Sequence, residues 1–183
     1  MRVRFSGLGG QGVVISGVIY GQAAMYDGVN VLQNQSYGST TRGGVTTSDV
    51  TIDRDAIHEL ECPDFDVVIA LCQDACDRFA PLVVANGILI TERSLVDVAP
   101  DVAARARHVA VGAIEAAREQ MGRQILANIV VLGALSRLVD AVTEGSLRRA
   151  IADHVPAGTE QLNVKAFELG KSLIVPSELR ADS

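Results

Sequence analysis

The chain has 183 residues, a length that predicts one domain. Its formal net charge of −6 disfavours a general role in binding nucleic acid or anionic membranes. Hydrophobic residues make up 48% of the sequence but aromatic residues only 4%, so the core has to be built from Ala, Val, Leu and Ile. This composition suits a parallel sheet that is covered on both faces.

Short β-branched runs alternate with segments of helical periodicity, which predicts an α/β fold. After a first strand near the N-terminus, strands are predicted at 29–32, 45–52, 65–71, 87–91 and 108–111, and 45–52 is a candidate for antiparallel pairing. Helices are predicted at 12–25, 74–84, 113–121, 124–139, 146–154 and 160–174. Gly28 ends the first helix, Pro81 interrupts the second, and residues 33–44 form a polar loop. We expect a three-layer α/β/α domain over 1–176 with a mainly parallel sheet and a helical C-terminal third, followed by a flexible tail at 177–183.

The first twelve residues, M-R-V-R-F-S-G-L-G-G-Q-G, join a short strand to a helix through the pattern G-x-G-x-x-G at Gly7, Gly9 and Gly12. Backbone N–H groups at the start of such a helix can hold a dinucleotide or another phosphate, and the glycines can also serve packing alone. A dinucleotide site further needs an acid at the end of the second strand, where this chain reads V-L-Q-N. The turn is expected to be sensitive to Gly9→Val and Gly12→Val in either case.

A second glycine-containing segment, Tyr37-Gly38 followed by Arg42-Gly43-Gly44, comes after the second strand. If that strand runs parallel to the first, both loops lie at the sheet edge where open α/β sheets bind ligands. Arg42 can then grip a phosphate or carboxylate and Tyr37 can stack on a ring. The alternative is a well-packed turn in which Arg42 caps carbonyls or pairs with an acid.

Other polar side chains give weaker signals. Asn128 lies in a mostly apolar helix and must find a hydrogen-bond partner, and a bond to the backbone is favoured over a reach toward the glycine turn. The histidines are too scattered for a metal site. The three cysteines form no Cys-x-x-Cys pair, so the chain lacks the usual ligand spacing for an iron–sulfur cluster or a structural zinc. We expect the thiols to be reduced, and no apolar run reaches membrane-spanning length. The N-terminus is already a core strand, so the sequence predicts a cytoplasmic protein.

Several motifs occur together in order: G-L-G-G-Q-G, S-Y-G and R-G-G, D-V-V-I-A-L, A-N-I-V-V-L-G-A-L and N-V-K-A-F-E-L-G. Together they resemble the gamma subunit or gamma domain of the 2-oxoacid:ferredoxin oxidoreductases over residues 4 to 171. The resemblance implies a subunit that works with alpha, beta and ferredoxin-like delta partners, which hold thiamine diphosphate and the iron–sulfur clusters and pass electrons to ferredoxin.

Within that family the two glycine segments are implied to lie near the subunit junction and to touch coenzyme A. The candidate cofactor-binding residues are Gly7, Gly9, Gly10, Gln11, Gly12, Tyr37, Arg42, Gly43 and Gly44. No residue is implied to be catalytic or to bind a metal, and 2-oxoglutarate is favoured over pyruvate as the oxoacid. Two alternatives are a stand-alone Rossmann-like nucleotide-binding protein and a purely structural module.

Overall fold

A computed structural model describes residues 1–38, 44–58 and 63–175. The predicted tail at 177–183, Arg42, Gly43 and Cys62 lie outside these residues. All elements given below belong to the described part of the chain.

Six strands form one mixed sheet in the order β2-β3-β1-β4-β5-β6. The strands are β1 (Arg2–Gly7), β2 (Asn30–Ser36), β3 (Thr46–Asp53), β4 (Phe65–Ala70), β5 (Val83–Glu92) and β6 (Arg107–Val111). The pairs β1–β4, β4–β5 and β5–β6 are parallel, and β3 pairs antiparallel with both β1 and β2. The prediction of a mainly parallel sheet with an antiparallel third strand is confirmed.

Helices cover both faces of the sheet. They are α1 (Val13–Tyr26), α2 (Gln73–Phe79), α3 (Pro100–Arg105), α4 (Ala113–Met121), α5 (Ala127–Leu138), α6 (Glu144–His154) and α7 (Glu160–Ser172). The larger buried cluster lies under α1, α5, α6 and α7, and it includes Phe5 packed edge-to-face on Tyr20 at 5.9 Å between ring centroids. A smaller cluster lies under α2 on the opposite face, with Phe65, Cys76 and Leu89. The three-layer α/β/α prediction is therefore confirmed.

Three predicted elements differ from the structure by more than their end residues, and one helix was not predicted. The segment 33–36, predicted as loop, continues β2, because an edge strand tolerates polar side chains and Gln33 donates to Ser48 Oγ at 3.0 Å. The predicted helix 74–84 ends at Phe79 and passes through a 3-10 turn containing Pro81 into β5. The predicted helix 124–139 is a 3-10 turn (Gln124–Leu126) followed by α5, and α3 was not predicted.

The backbones of α5 and α7 are in direct contact through one glycine on each helix. A Cβ added to Gly133 would overlap the carbonyl oxygen of Phe167, and a Cβ added to Gly170 would overlap the carbonyl oxygen of Val130. Neither overlap can be relieved by rotating a side chain, because both obstacles are backbone atoms. These two glycines belong to the motifs A-N-I-V-V-L-G-A-L and N-V-K-A-F-E-L-G, so the two motifs meet in space.

We expect Gly133→Ala and Gly170→Ala to destabilise the protein, because the added methyl group forces the helices apart. Overpacking of this kind costs about 1–3 kcal/mol, which corresponds to a Tm loss of roughly 2–12 °C in a chain of this size. The matched control is Gly145→Ala in α6, where the added methyl group has open space around it. Thermal unfolding followed by circular dichroism tests this, and an unchanged Tm for Gly133→Ala and Gly170→Ala would contradict the close contact.

Candidate functional site

The two strands that precede the glycine segments, β1 and β2, end at the same edge of the sheet. Strand β2 runs in the same direction as β1, since each pairs antiparallel with β3, and the register places Ser36 opposite Thr47 and Gly7 opposite Thr46. Adjacent strands lie about 4.8 Å apart, so the carboxyl ends of β1 and β2 are about 10 Å from each other. The glycine turn after β1 and Tyr37 after β2 are thus close enough to contact one ligand of nucleotide size.

The glycine turn is held in shape mainly by Gln11. The side-chain Oε1 of Gln11 accepts a hydrogen bond from the backbone N–H of Leu8 at 2.6 Å, and its Nε2 donates to the carbonyl oxygen of Leu71 at 2.9 Å. The backbone N–H of Gln11 also donates to the Leu8 carbonyl oxygen at 3.2 Å. The amide of Gln11 therefore braces the turn against the end of β4.

Helix α1 starts directly after this turn with an open N-terminus. Its N-cap is Gly12 in the left-handed conformation at φ 74°, no side chain caps the first turn, and no acidic residue lies in that turn. The first N–H groups of a helix have no partner within the helix and carry a partial positive charge. The start of α1 can therefore accept an anionic group.

Asn128, at the start of α5, packs against Gly12. A Cβ on Gly12 would come within 2.6 Å of Asn128 Nδ2 and 2.8 Å of Asn128 Cβ. Asn128 is only 9% exposed, and its side-chain amide has no hydrogen bond with any residue in the described ranges. Among the described residues the favoured backbone bond is not found, and the side chain packs against the glycine turn.

Two cavities share Gly10, Ile125 and Asn128 in their walls. We name the first, of about 300 Å³, the Glu92 cavity; its walls include Gly10, Gln11, Glu92, Leu95, Ile125 and Asn128. We name the second, of about 280 Å³, the Arg123 cavity; its walls include Gly10, Gly12, Ile15, Arg123, Asn128 and His154. Both volumes are at the lower end of the range typical of small-molecule sites.

The carboxylate of Glu92 is the most unusual group in this region. Glu92 is 1% exposed at the carboxyl end of β5. It accepts hydrogen bonds from Ser94 Oγ at 2.9 Å, from the Ser94 N–H at 3.3 Å and from the Ile114 N–H at 3.1 Å. The last bond comes from the N-terminal turn of α4, so the positive end of that helix stabilises the buried charge.

The segment after β2 is only partly described. Tyr37 is 64% exposed at the sheet edge, and Gly38 lies against the backbone of Gly44, so the two ends of the segment meet. The roles predicted for Arg42 and Gly43 fall outside the described residues.

The remaining reactive side chains stay apart from this site. Cys72 and Cys76 are buried and free, and burial raises the pKa of both thiols, which disfavours the reactive thiolate. Burial lowers the pKa of His108, which contacts Thr91 Oγ1 at 2.8 Å.

Over the described ranges, no three His, Cys, Asp or Glu side chains cluster in a way that suits a metal ion, and no helix is long and apolar enough to cross a membrane.

Residues 2–173 match the family model described as pyruvate ferredoxin/flavodoxin oxidoreductase. The chain belongs to this oxidoreductase family. This membership confirms the resemblance inferred from the sequence motifs.

Relatives within the family are similar along almost the whole chain. The 2-oxoglutarate synthase subunit KorC of Methanocaldococcus jannaschii is 39% identical over 171 residues, covering 92% of this chain and 90% of the relative. The crystal structure of the gamma subunit of a keto/oxoacid ferredoxin oxidoreductase from Geobacter sulfurreducens is 35% identical with a TM-score of 0.80, covering 93% of this chain and 96% of the other.

A larger structure shares the fold. The 2-oxoglutarate:ferredoxin oxidoreductase from Magnetococcus marinus, solved with 2-oxoglutarate, coenzyme A and succinyl-CoA bound, superposes with a TM-score of 0.84 at 22% identity. The match covers 94% of this chain and 30% of the larger one, so the fold of this oxidoreductase family also occurs as one part of a longer chain.

The topology separates this fold from the dinucleotide-binding one despite the shared glycine pattern. In the Rossmann fold the second strand lies next to the first and ends in the acid that holds the ribose. Here the antiparallel strand β3 lies between β1 and β2, and β2 ends with Gln35 and Ser36. The sequence lacks the ribose-binding acid of a dinucleotide site, and the structure has a different strand order as well.

Sequence reasoning did not identify Glu92, Leu95, Ile125 or Arg123 as site residues. A signal was present for Glu92, because a carboxylate directly after the buried strand G-I-L-I-T falls at the ligand-binding edge of the sheet. Leu95 and Ile125 are 47% and 77% exposed at the mouth of the Glu92 cavity, and nothing in the local sequence indicates that these two loops meet.

Gly12→Ala is expected to destabilise the protein and Gly9→Ala to leave its stability nearly unchanged. Alanine at position 12 adopts an unfavourable left-handed conformation and overlaps Asn128, a cost of about 1–3 kcal/mol, whereas at Gly9 a Cβ meets no atom within 4 Å. The structure thus supports the expected sensitivity of Gly12 and removes the reason for it at Gly9. Thermal melts of the two variants measure the difference, and equal Tm losses would contradict this account of the turn.

Proposed function

We propose that this chain is the gamma subunit of a 2-oxoglutarate:ferredoxin oxidoreductase. The observation that carries the proposal is the full-length similarity to KorC, a 2-oxoglutarate synthase subunit, at 39% identity. Two further KorC proteins, from Methanothermobacter species, are 34% and 33% identical over 181 residues. Ketoisovalerate and pyruvate relatives are 32% identical, which makes 2-oxoglutarate the best-supported oxoacid.

The chain works in this proposal as one part of a cytoplasmic complex. Larger alpha and beta subunits, together with a ferredoxin-like delta subunit, hold the thiamine diphosphate and the iron–sulfur clusters and deliver electrons to ferredoxin. Within the described ranges this chain offers no set of metal ligands, and its two described cysteines are buried as single thiols. The isolated chain is expected to be inactive.

Coenzyme A is the ligand that we propose for the glycine segments. The uncapped N-terminus of α1 can hold a phosphate, and the Gln11 amide fixes the turn that leads into it. The two cavities that share Gly10 and Asn128 in their walls offer about 300 and 280 Å³ beside the turn. Tyr37, which follows β2 about 10 Å from the glycine turn, and Arg42 of the second segment are proposed to contact the same ligand.

Bound coenzyme A supplies the thiol that accepts the acyl group derived from the oxoacid. The residues of this chain bind and orient that ligand, and none of them takes part in bond breaking. The gamma subunit would therefore affect the KM for coenzyme A more than the kcat of the complex.

Anaerobic affinity purification of the tagged full chain from its own cells tests the subunit assignment. We expect larger subunits to co-purify, with the visible absorption of iron–sulfur clusters and bound thiamine diphosphate, and the complex to reduce a dye with 2-oxoglutarate and coenzyme A. A colourless chain that purifies alone would contradict the proposal. Faster turnover with pyruvate or a branched-chain oxoacid would overturn the substrate assignment alone.

Arg42→Ala is expected to raise the KM for coenzyme A in the assembled complex by roughly ten- to a hundredfold with little change in kcat. The reason is the loss of a charge-assisted hydrogen bond to phosphate, worth about 1.5–3 kcal/mol. The matched control is Arg54→Ala, an exposed arginine just after β3 at the opposite edge of the sheet. Equal KM values for the two variants, in complexes that assemble normally, would favour a structural role for the second glycine segment.

A further inference from the structure

We propose that two copies of this chain pair through the outer side of β2, antiparallel and with a two-fold axis at Gln33. The six-stranded sheet of one copy then continues into the sheet of the other. The surface consists of β2 and one flank of α1, at the opposite end of the strand order from β5 and β6. This pairing is independent of the oxoacid that the complex uses.

The backbone of β2 is paired on one side and open on the other among the described residues. Met1 and Ile52 exchange both backbone hydrogen bonds at 2.8 Å, so Ile52 faces β1. Because successive residues of a strand alternate in direction, Thr51 faces β2, where it lies opposite Leu32. The residues of β2 whose N–H and C=O groups point away from the sheet are therefore Val31, Gln33 and Gln35.

This outer side of β2 is self-complementary. An antiparallel second copy with Gln33 opposite Gln33 also places Val31 opposite Gln35. Residues opposed in this way exchange both of their backbone hydrogen bonds, so every outward N–H and C=O group of these three residues gains a partner. A two-fold axis is the symmetry by which most homodimers form.

The strand β2 lacks the features that usually protect an edge strand. It reads N-V-L-Q-N-Q-S, with no charged residue and no proline, and its register with β3 runs without a bulge. Edge strands of natural proteins commonly carry a lysine, a proline or a bulge, which prevents pairing with another chain. The sequence of β2 therefore permits pairing.

The opposite edge strand, β6, is blocked. The Val111 carbonyl oxygen faces β5, because it accepts from the Arg93 N–H at 2.9 Å. The Ala110 carbonyl oxygen consequently points to the outer side, where the Arg93 guanidinium donates to it at 2.9 Å. One edge of the sheet is thus covered by a charged side chain, and β2 is left as the edge available for pairing.

The sequence around β2 is almost free of charge. Between Arg4 and Arg42 the sole Asp, Glu, Lys or Arg is Asp27, in a chain with 21% charged residues. Asp27 accepts hydrogen bonds from Thr143 and Ser146 at the start of α6. A two-fold interface brings identical surfaces together, so an uncharged surface avoids like-charge contacts in a chain of net charge −6.

Helix α1 lies directly over β2 and β3. A Cβ added to Gly21 would come within 3.2 Å of Val31 Cγ1, and one added to Gly17 within 3.3 Å of Gln33 Nε2. These two glycines mark the side of α1 that faces the sheet. Ile19, which is fully buried, lies on nearly the opposite side of the helix, where α1 packs against α6.

One flank of α1, between these two sides, is apolar and incompletely buried. It is formed by Val14, Val18 and Met25, whose spacings of four and seven residues place them along one line of the helix. The two valines are half-buried and Met25 is 58% exposed. Exposed helix surfaces normally carry charged residues, but α1 has none, which indicates that a protein surface covers this flank.

The two-fold axis also brings two exposed side chains to the same place. With Gln33 opposite its copy, Tyr37 of one chain lies alongside Val29 of the other, next to the last turn of α1 that carries Met25. Tyr37 is 64% exposed, and contacts of a methionine sulfur with an aromatic ring are favourable. The ring has two faces, so this contact leaves one for the proposed ligand.

Light scattering coupled to size-exclusion chromatography of the full chain is expected to give twice the mass of one chain. Gln33→Pro removes an outward N–H and keeps the pairing with β3, so it should raise the dimer Kd by about five- to a hundredfold. The matched control is Gln33→Ala, which keeps the N–H and loses the side-chain bond to Ser48. Its dimer Kd should stay near the wild-type value.

Met25→Lys is a second variant, which leaves the backbone of β2 unchanged. It places a charge of the same sign in both copies of the apolar flank, so the dimer Kd should rise by at least about tenfold. Ala104→Lys adds the same charge at an exposed position of α3, beside β6, and should leave the dimer unchanged. Circular dichroism melts establish that each variant is folded.

Two cysteine variants test the position of the axis. Opposed residues that exchange both hydrogen bonds have Cα atoms about 5.5 Å apart, within the range of a disulfide, so Gln33→Cys should give a covalent dimer on mild oxidation. The two copies of Gln35→Cys would lie about 14 Å apart along the strands and should remain unlinked. The wild-type chain sets the background from its own three cysteines.

Three results would overturn the pairing: a monomeric wild-type chain at its highest soluble concentration, equal dimer Kd values for Gln33→Pro and Gln33→Ala, or cross-linking of Gln35→Cys in place of Gln33→Cys. A monomeric chain whose Gln33→Pro variant no longer co-purifies with larger subunits would assign β2 to another subunit and overturn the second copy as its partner. A β2-paired dimer that purifies without larger subunits would support the pairing and contradict the proposed function alone.

Discussion

The backbone contact between α5 and α7 determines where the candidate site can form. Helix axes approach this closely only when neither helix has a side chain at the crossing, which Gly133 and Gly170 provide. The contact holds α5 against the core, with Leu132 and Leu135 fully buried. Because α5 is rigid over its length, fixing its middle also fixes its first residues, and these place Asn128 against Gly12 at the edge of the sheet.

Two opposite electrostatic features lie side by side at this edge. The start of α1 has no side-chain cap and is partially positive, whereas the Glu92 carboxylate is negative and buried at the end of β5. The fold keeps Glu92 in place by directing the N-terminus of α4 and the Ser94 side chain at it. A ligand that spans both features must be anionic at one part and hydrogen-bond donating at another, which restricts both its identity and its orientation.

Much of the fold could be predicted from the sequence because its local signals agree with the tertiary structure. The strand at 65–71 and the helix at 113–121 follow from uninterrupted apolar runs and helical spacing, and their bounds match β4 and α4 within one residue. The second strand was predicted too short because Gln33 to Ser36 look like a loop, and only pairing with β3 makes them a strand. Val83 and Val84 fit the helical pattern before them, but the break at Pro81 and the pairing of Phe65 with Val83 assign them to β5.

The candidate site was less predictable, since its parts are far apart in the chain. The glycine pattern correctly indicated a strand, turn and helix, because that geometry depends on a few adjacent residues. The pattern does not specify what lies beside the turn, and here the antiparallel strand β3 replaces the neighbouring parallel strand of a dinucleotide-binding fold. Glu92 and Asn128, 36 positions apart, meet the turn only after the sheet and α5 have packed. The same short motif can therefore belong to different ligand sites, and the residues that distinguish them come from elements that the motif does not contain.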